Sequence, residues 1–297
     1  MDFTSKTSIF KVLRDGMADE VVRCSKINGG KRLRTAPINK KMWQSQHRAL
    51  LKELIETAAN ETWPQAEILD CRLRLFYCAL VVNIETRNKV VAYDYMDFAR
   101  RIGEVWETFC KICWETPVNR KVKRLKPPTY GTVKAELLEN FATLVAGSQA
   151  KNPKDLIREY NRAVELLGNI NLKEDEYCSL GDRRLVIDFK SGFGSNEKGN
   201  TERLLTVAKI FGTLPEKHEC ILVVRAAEGE GNNYLQVLKS SGLWKVYCGA
   251  EAYKFMQEVT GFDLCAWIHK NINFPEDMEA SAHAHLKAAG LTKYLAW

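Results

Sequence analysis

The sequence predicts an α/β architecture (α+β): a mixed central β-sheet flanked by helices, preceded by a mainly helical N-terminal region. Three observations predict it. Residues 43 to 115 carry apolar side chains at helical spacing, residues 130 to 250 alternate helical patterns with short apolar runs, and a basic break with two adjacent prolines, RKVKRLKPPTYG, separates the two. Apolar residues make up 45 % of the 297, enough to build a buried core.

In the first region the clearest element is the stripe Ile102, Val105, Trp106, Phe109, Ile112 and Cys113, which repeats every 3.6 residues and leaves Arg101, Glu104 and Lys111 for the solvent side. Pro127 and Pro128 stop any helix that reaches them, because proline lacks an N–H and restricts the residue before it. The break predicts two regions: 1–126, mainly helical, and 127–297, a sheet-containing core with C-terminal helices. Helices follow over about 132–146 and 153–167, with Pro153 suited to a first turn. Strands are expected over about 173–180 and 183–191, then the glycine-rich loop SGFGSNEKGN and a helix over 201–211 with Leu204, Val207, Ala208 and Phe211 on one face. Residues 220–225 form an apolar run suited to a buried strand. A helix at 234–240, a strand at 244–248 and a helix at 251–259 complete the core.

Composition narrows the function classes. No apolar run approaches the roughly 20 residues of a membrane span, and the opening residues show no apolar stretch of a secretory leader. Nine scattered cysteines, an odd number, predict a reducing, cytoplasmic setting rather than a disulfide framework. The charge of +7 suits a polyanion, and it is concentrated in two stretches free of acids. Lys31, Arg32 and Arg34 lie in the first, and Lys121, Lys123, Arg124 and Lys126 in the second. Both contain glycine or proline, so both read as loops that contact nucleic-acid phosphates or simply face water. The loop residues Ser195, Asn196 and Lys198 are further backbone-contact candidates. No phosphate-binding loop motif is present, so no nucleotide cofactor is expected. Cys110-x-x-Cys113 has no second ligand pair nearby, and Cys113 belongs to an apolar stripe, so the pair reads as core.

The chemistry concentrates in EDEYCSLGDRRLVIDFKSGFGS, residues 174–195. Leu185, Val186 and Ile187 lead into Asp188-Phe189-Lys190, and strand alternation puts Asp188 and Lys190 on one face. A carboxylate there can hold a hard divalent cation, and a lysine beside it can meet developing negative charge at a phosphate. An acid-x-Lys triplet is common by chance, so register must supply the specificity. Gly181-Asp182 reads as a two-residue hairpin turn, which opposes Leu180 to Arg183 and, further along, Asp175 to Asp188. Two opposed carboxylates repel unless a cation lies between them; otherwise Asp175 is one more acid of a solvated run, in which Glu174 and Glu176 are the substitutes. Asp182 sits at the far tip of the hairpin.

These residues resemble the PD-(D/E)xK nuclease superfamily, most closely type II restriction endonucleases, over roughly residues 130–250: an acid at Asp175, Asp188-x-Lys190 ending an apolar strand, then a helix and a further buried strand. Glutamate 174, not proline, precedes Asp175, which departs from the family pattern. The resemblance implies a restriction-endonuclease-like core, Mg²⁺ (with Mn²⁺ as a substitute) bound by Asp175 and Asp188, and Lys190 assisting the attacking water. It implies double-stranded DNA as substrate and a homodimer, with Glu136, Glu139 or Glu202 as supporting acids. The alternatives within reach of the same residues are a structure-selective repair or recombination nuclease and a non-cleaving nucleic-acid-binding protein.

Overall fold

In a computed structural model, residues 1–166, 168, 170–192, 198–230 and 233–295 are described. The chain runs through α1 (Lys6–Ser25), α2 (Lys31–Lys40), a π-helical turn (Lys41–Gln46), α3 (His47–Asn60), α4 (Gln65–Val90) and α5 (Tyr95–Glu115). Then come β1 (Val122–Arg124), α6 (Tyr130–Ala146), α7 (Pro153–Leu166), β2 (Glu176–Leu180), β3 (Arg183–Lys190), α8 (Lys198–Phe211), β4 (His218–Val224), α9 (Asn233–Ser240) and β5 (Trp244–Cys248). Four helices close the chain: α10 (Ala250–Thr260), α11 (Leu264–Asn271), α12 (Phe274–Asp277) and α13 (Ala280–Ala288).

The chain forms two compact units, residues 1–120 together with 250–297, and residues 121–249. This corrects the division at 126 read from the sequence. The first boundary shifts by a few residues, because Val122 to Arg124 pair with β2 and so belong to the sheet. The C-terminal helices, assigned from sequence to the sheet-containing region, pack instead with the N-terminal helices: α10 and α11 meet α5, and α13 meets α4. Sequence proximity to the sheet gave no hint of this long-range choice.

The helical unit is organised on α4, which buries residues from Leu69 to Val90 and is met by α1, α2, α3, α5 and α13. Side-chain caps start several helices: Ser5 accepts from the Ser8 amide, Asp94 from Asp97 and Asp263 from Ala266. The basic stretch expected to be a loop is helix α2, even with Pro37 inside it. Among the described residues no helix is long and apolar enough to cross a membrane.

The second unit holds a five-stranded mixed sheet in the order β1-β2-β3-β4-β5. The first three strands pair antiparallel, with α6 and α7 between β1 and β2, and β3, β4 and β5 run parallel. Leu180 opposes Arg183 and Glu176 opposes Ile187, the register the two-residue turn requires. Gly181 takes φ of +59° while Asp182 keeps a negative φ, which suits a turn with glycine at its first central position and explains the order Gly-Asp. One sheet face carries Val186, Leu222, Val224 and Trp244, covered by Leu204, Val207 and Phe211 of α8 and by Leu235 and Leu238 of α9. Asp188 lies on that same face between Val186 and Lys190, so an acid is built into an otherwise apolar layer.

Candidate active site

The β3 end gathers four charged side chains. Asp188 is only 3 % exposed. Lys190 Nζ lies 2.6 Å from Asp188 Oδ1 and also donates to the Phe189 carbonyl at 3.1 Å. That approach to Oδ1 has the distance of an ion pair but not the direction of a hydrogen bond, and the Glu174 carboxyl shares a hydrogen bond with the same Asp188 side chain. On the other side, Arg203 of α8 reaches Asp188 Oδ2 at 3.3 Å and grips Glu174 at 2.5 and 3.2 Å. The Asn200 side-chain oxygen accepts from the same guanidinium and steadies it.

Sequence alone made Glu174 only a substitute; it is the acid that actually joins Asp188. The hairpin ladder stops at Glu176, and the chain bends at 175. Past that point strand alternation no longer decides which face a side chain takes, and Glu174 turns inward. Asp175, the expected first metal ligand, spends Oδ2 on the backbone N–H of Phe189 at 2.8 Å, fastening the strand end. Burial pushes the Glu174 carboxyl well above the usual carboxylate range, and the neighbouring Asp188 carboxylate pushes it further, against the pull of Arg203.

The remaining candidates divide. Glu176 faces away from Asp188 and is buried under a two-pronged pair with Arg124, at 2.8 and 3.0 Å. Arg124, expected to contact phosphate, is thus committed to the sheet, whereas Lys121, Lys123 and Lys126 are exposed. Lys126 borders a cavity of about 520 Å³ with Lys173 and Tyr130, beside the stretch that leads into Glu174. In the helical unit Lys31 is paired with Asp94 at 2.5 Å and with Asp97, and Arg34 donates to the Val90 carbonyl at 2.6 Å. Those two cations hold α2 in place, a correction to their reading as loop contacts; Arg32 is exposed. Glu136, Glu139 and Glu202 are all exposed on their helices, and the partners of Asp188 come from elsewhere. Lys198 is exposed at the start of α8, while Ser195 and Asn196 lie outside the described residues. Asp182 is exposed at the hairpin tip, away from Asp188.

Sequence reasoning missed Arg203. Its signal was an arginine adjacent to the buried Leu204 at the start of a helix that must cover the end of β3.

Among the described residues no group of three or more His, Cys, Asp or Glu side chains is placed to hold a metal ion. The cluster offers two carboxylates, Glu174 and Asp188. Their chemistry fits a hard cation: both donors are oxygen, they press on each other electrostatically, and Lys190 already places a positive charge beside Asp188 Oδ1. A small hard ion that keeps several waters and accepts substrate oxygens needs only one or two protein carboxylates. No family model, curated protein or solved structure matches this chain.

Proposed function

We propose that the chain is a Mg²⁺-dependent endonuclease acting on double-stranded DNA, of the site-specific restriction type and working as a homodimer. The observation that carries the reading is the pairing of Glu174 and Asp188 beside Lys190 at the carboxyl end of β3. The parallel neighbours β4 and β5 end on the same side, where mixed sheets commonly place ligands.

Glu174 and Asp188 would hold the ion, which when bound supplies charge to polarise a phosphate and lower the pKa of water. Asp188 is held by the sheet register, so its position does not depend on a mobile loop. Lys190 brings a compact positive charge to the same face, where it meets the negative charge that develops on a phosphate under attack. Arg203 neutralises the two acids and orients both carboxylates through its fork. Asp175 fixes the Phe189 amide and so the strand end from which Lys190 projects. Lys121, Lys123 and Lys126, exposed on the same unit, would supply backbone contact.

The Arg203 clamp also favours a second reading, a nucleic-acid-binding protein in which Arg203 takes the cation's place and no cleavage occurs. One experiment separates the two. Plasmid and long linear DNA are incubated with the protein in Mg²⁺, Mn²⁺, Ca²⁺ or excess chelator. The nuclease reading predicts cleavage in Mg²⁺ and Mn²⁺, none in chelator, and discrete fragments if a sequence is read. Scattered cuts at branched or damaged sites would move the assignment to repair. Binding without cleavage in any metal would establish the non-cleaving reading, and full activity in chelator would refute the metal mechanism.

A further inference from the structure

The helical unit contains a cavity of about 300 Å³ between the π-helical turn, α4 and α5. Its size is at the lower end of small-molecule sites, which run from roughly 300 to 1,000 Å³. Phe76, Leu80 and Asn83 reach it from one face of α4, at helical spacing. Arg101 and Thr108 reach it from α5, and Trp43 from the π-helical turn.

Two observations set this cavity apart from a packing gap. First, Asn83 is wholly buried at its edge, and neither Oδ1 nor Nδ2 has a hydrogen-bond partner; Arg101 Nε is buried and unpartnered as well. A buried amide left unsatisfied costs about 1–3 kcal/mol, which a ligand bonded to it would offset. Second, Trp43 sits on a π-helical turn, in which the His47 N–H bonds the Met42 carbonyl five residues back. Such turns insert one extra residue into a helix, re-aim the side chains they carry, and recur at functional sites. Here the half-buried Trp43 ring lies 5.4 Å from the Phe76 ring and tilted 33° to it, an aromatic wall beside the buried amide.

The geometry points to a nucleobase site, with cytosine as the preferred base. Along the edge it shows to a coplanar base an asparagine amide offers one acceptor and one of its two donors, and Arg101 Nε offers a further donor. The pairing edge of cytosine presents a donor, an acceptor and a second acceptor, and satisfies all three. Adenine lacks the second acceptor, guanine presents a single acceptor beside two donors, and thymine places a donor between its two acceptors. Trp43 and Phe76 supply the flat apolar surface on which any base stacks, worth about 1–3 kcal/mol per base. The same chemistry is met by a free nucleoside or by a base turned out of a duplex. The site lies in a different unit from Asp188 and does not depend on the catalytic reading.

The test uses the full-length protein and calorimetry with cytidine, adenosine, guanosine and thymidine, together with duplexes carrying one extrahelical cytosine or none. Cytidine should bind more tightly than the other three, or the extrahelical duplex more tightly than the paired one; which arm responds identifies the source. Asn83→Leu, close in volume and apolar, should weaken that binding at least tenfold without lowering Tm, because the unsatisfied amide is gone. Trp43→Ala, at a half-exposed position, provides the second variant and should weaken binding similarly. Equal, absent or non-discriminating binding across all ligands would overturn the site, as would wild-type affinity in both variants.

Discussion

The two units each bury an acid on the inner side of the fold, and they treat it differently. In the helical unit Glu85 of α4 receives both prongs of Arg14, at 2.8 and 3.0 Å, and the Glu279 backbone N–H at 2.7 Å. Both carboxylate oxygens have a donor. At the end of β3 two acids share one guanidinium, one of them is pushed above its ordinary pKa, and Lys190 is the second cation beside the other. A buried acid with complete partners is explained by structure alone. Two acids buried against each other, one with a raised pKa, are a pattern common at functional sites, and that contrast is why the β3 cluster, and not Glu85, is proposed as the reactive centre.

The contrast breaks most sharply through substitution at each cluster. Lys190→Ala should reduce DNA cleavage by about 10²–10³ or more, the scale of losing one charge-stabilising donor, with DNA binding nearly intact. Gel-shift and cleavage assays on one preparation check it, and wild-type cleavage would remove the nuclease reading. Glu85→Ala should do the reverse. Leaving Arg14 and the Glu279 amide without their partner should cost about 3–5 kcal/mol of stability in denaturant unfolding, while activity per folded molecule stays the same.

Titration sharpens the comparison further. Because the folded Glu174 carboxyl lies above its unfolded value, its contribution to stability is complete below the unfolded pKa of about 4.3 and is lost as pH rises through the folded value. Glu174→Gln should therefore flatten the fall in stability between mildly acidic and neutral pH, measured by urea unfolding at several pH values. An unaltered profile would mean that Glu174 is not held against Asp188.

How far the sequence revealed this arrangement depended on how local each cause was. The hairpin register was legible because a two-residue turn fixes every pair along the ladder, from Leu180–Arg183 to Glu176–Ile187. The strands and the α8 helix followed from apolar spacing. Three features were not legible. β1 has only three residues and exists because β2 offers it an edge, which no local pattern announces. Helix α2 was masked by Pro37, a residue that ordinarily ends a helix. Glu174 escaped because alternation was extended one residue beyond the bend at 175, where the strand no longer enforces it. Arg101, expected to face water, is half-buried and donates to Asn39 Oδ1 of α2 at 3.4 Å, a long-range contact that helical spacing does not announce.

The smallest predicted effect concerns the basic strand. Replacing Lys121, Lys123 and Lys126 with alanine should weaken binding to all DNA sequences alike. It should also lower the slope of log affinity against log salt by about one for each phosphate no longer neutralised. Arg124→Ala should instead act mainly on stability, since Arg124 serves Glu176. A salt slope that responds to Arg124 and not to the lysines would invert this assignment.

The central claim is that Glu174 and Asp188 form a cation site, and Mg²⁺ titration by calorimetry in the absence of DNA tests it most directly. The account predicts saturable binding in the wild-type protein, lost in Asp188→Asn and in Glu174→Gln and retained in Asp175→Asn. Binding that disappears with Asp175→Asn and survives both other substitutions would contradict it, as would a wild-type protein that takes up no Mg²⁺.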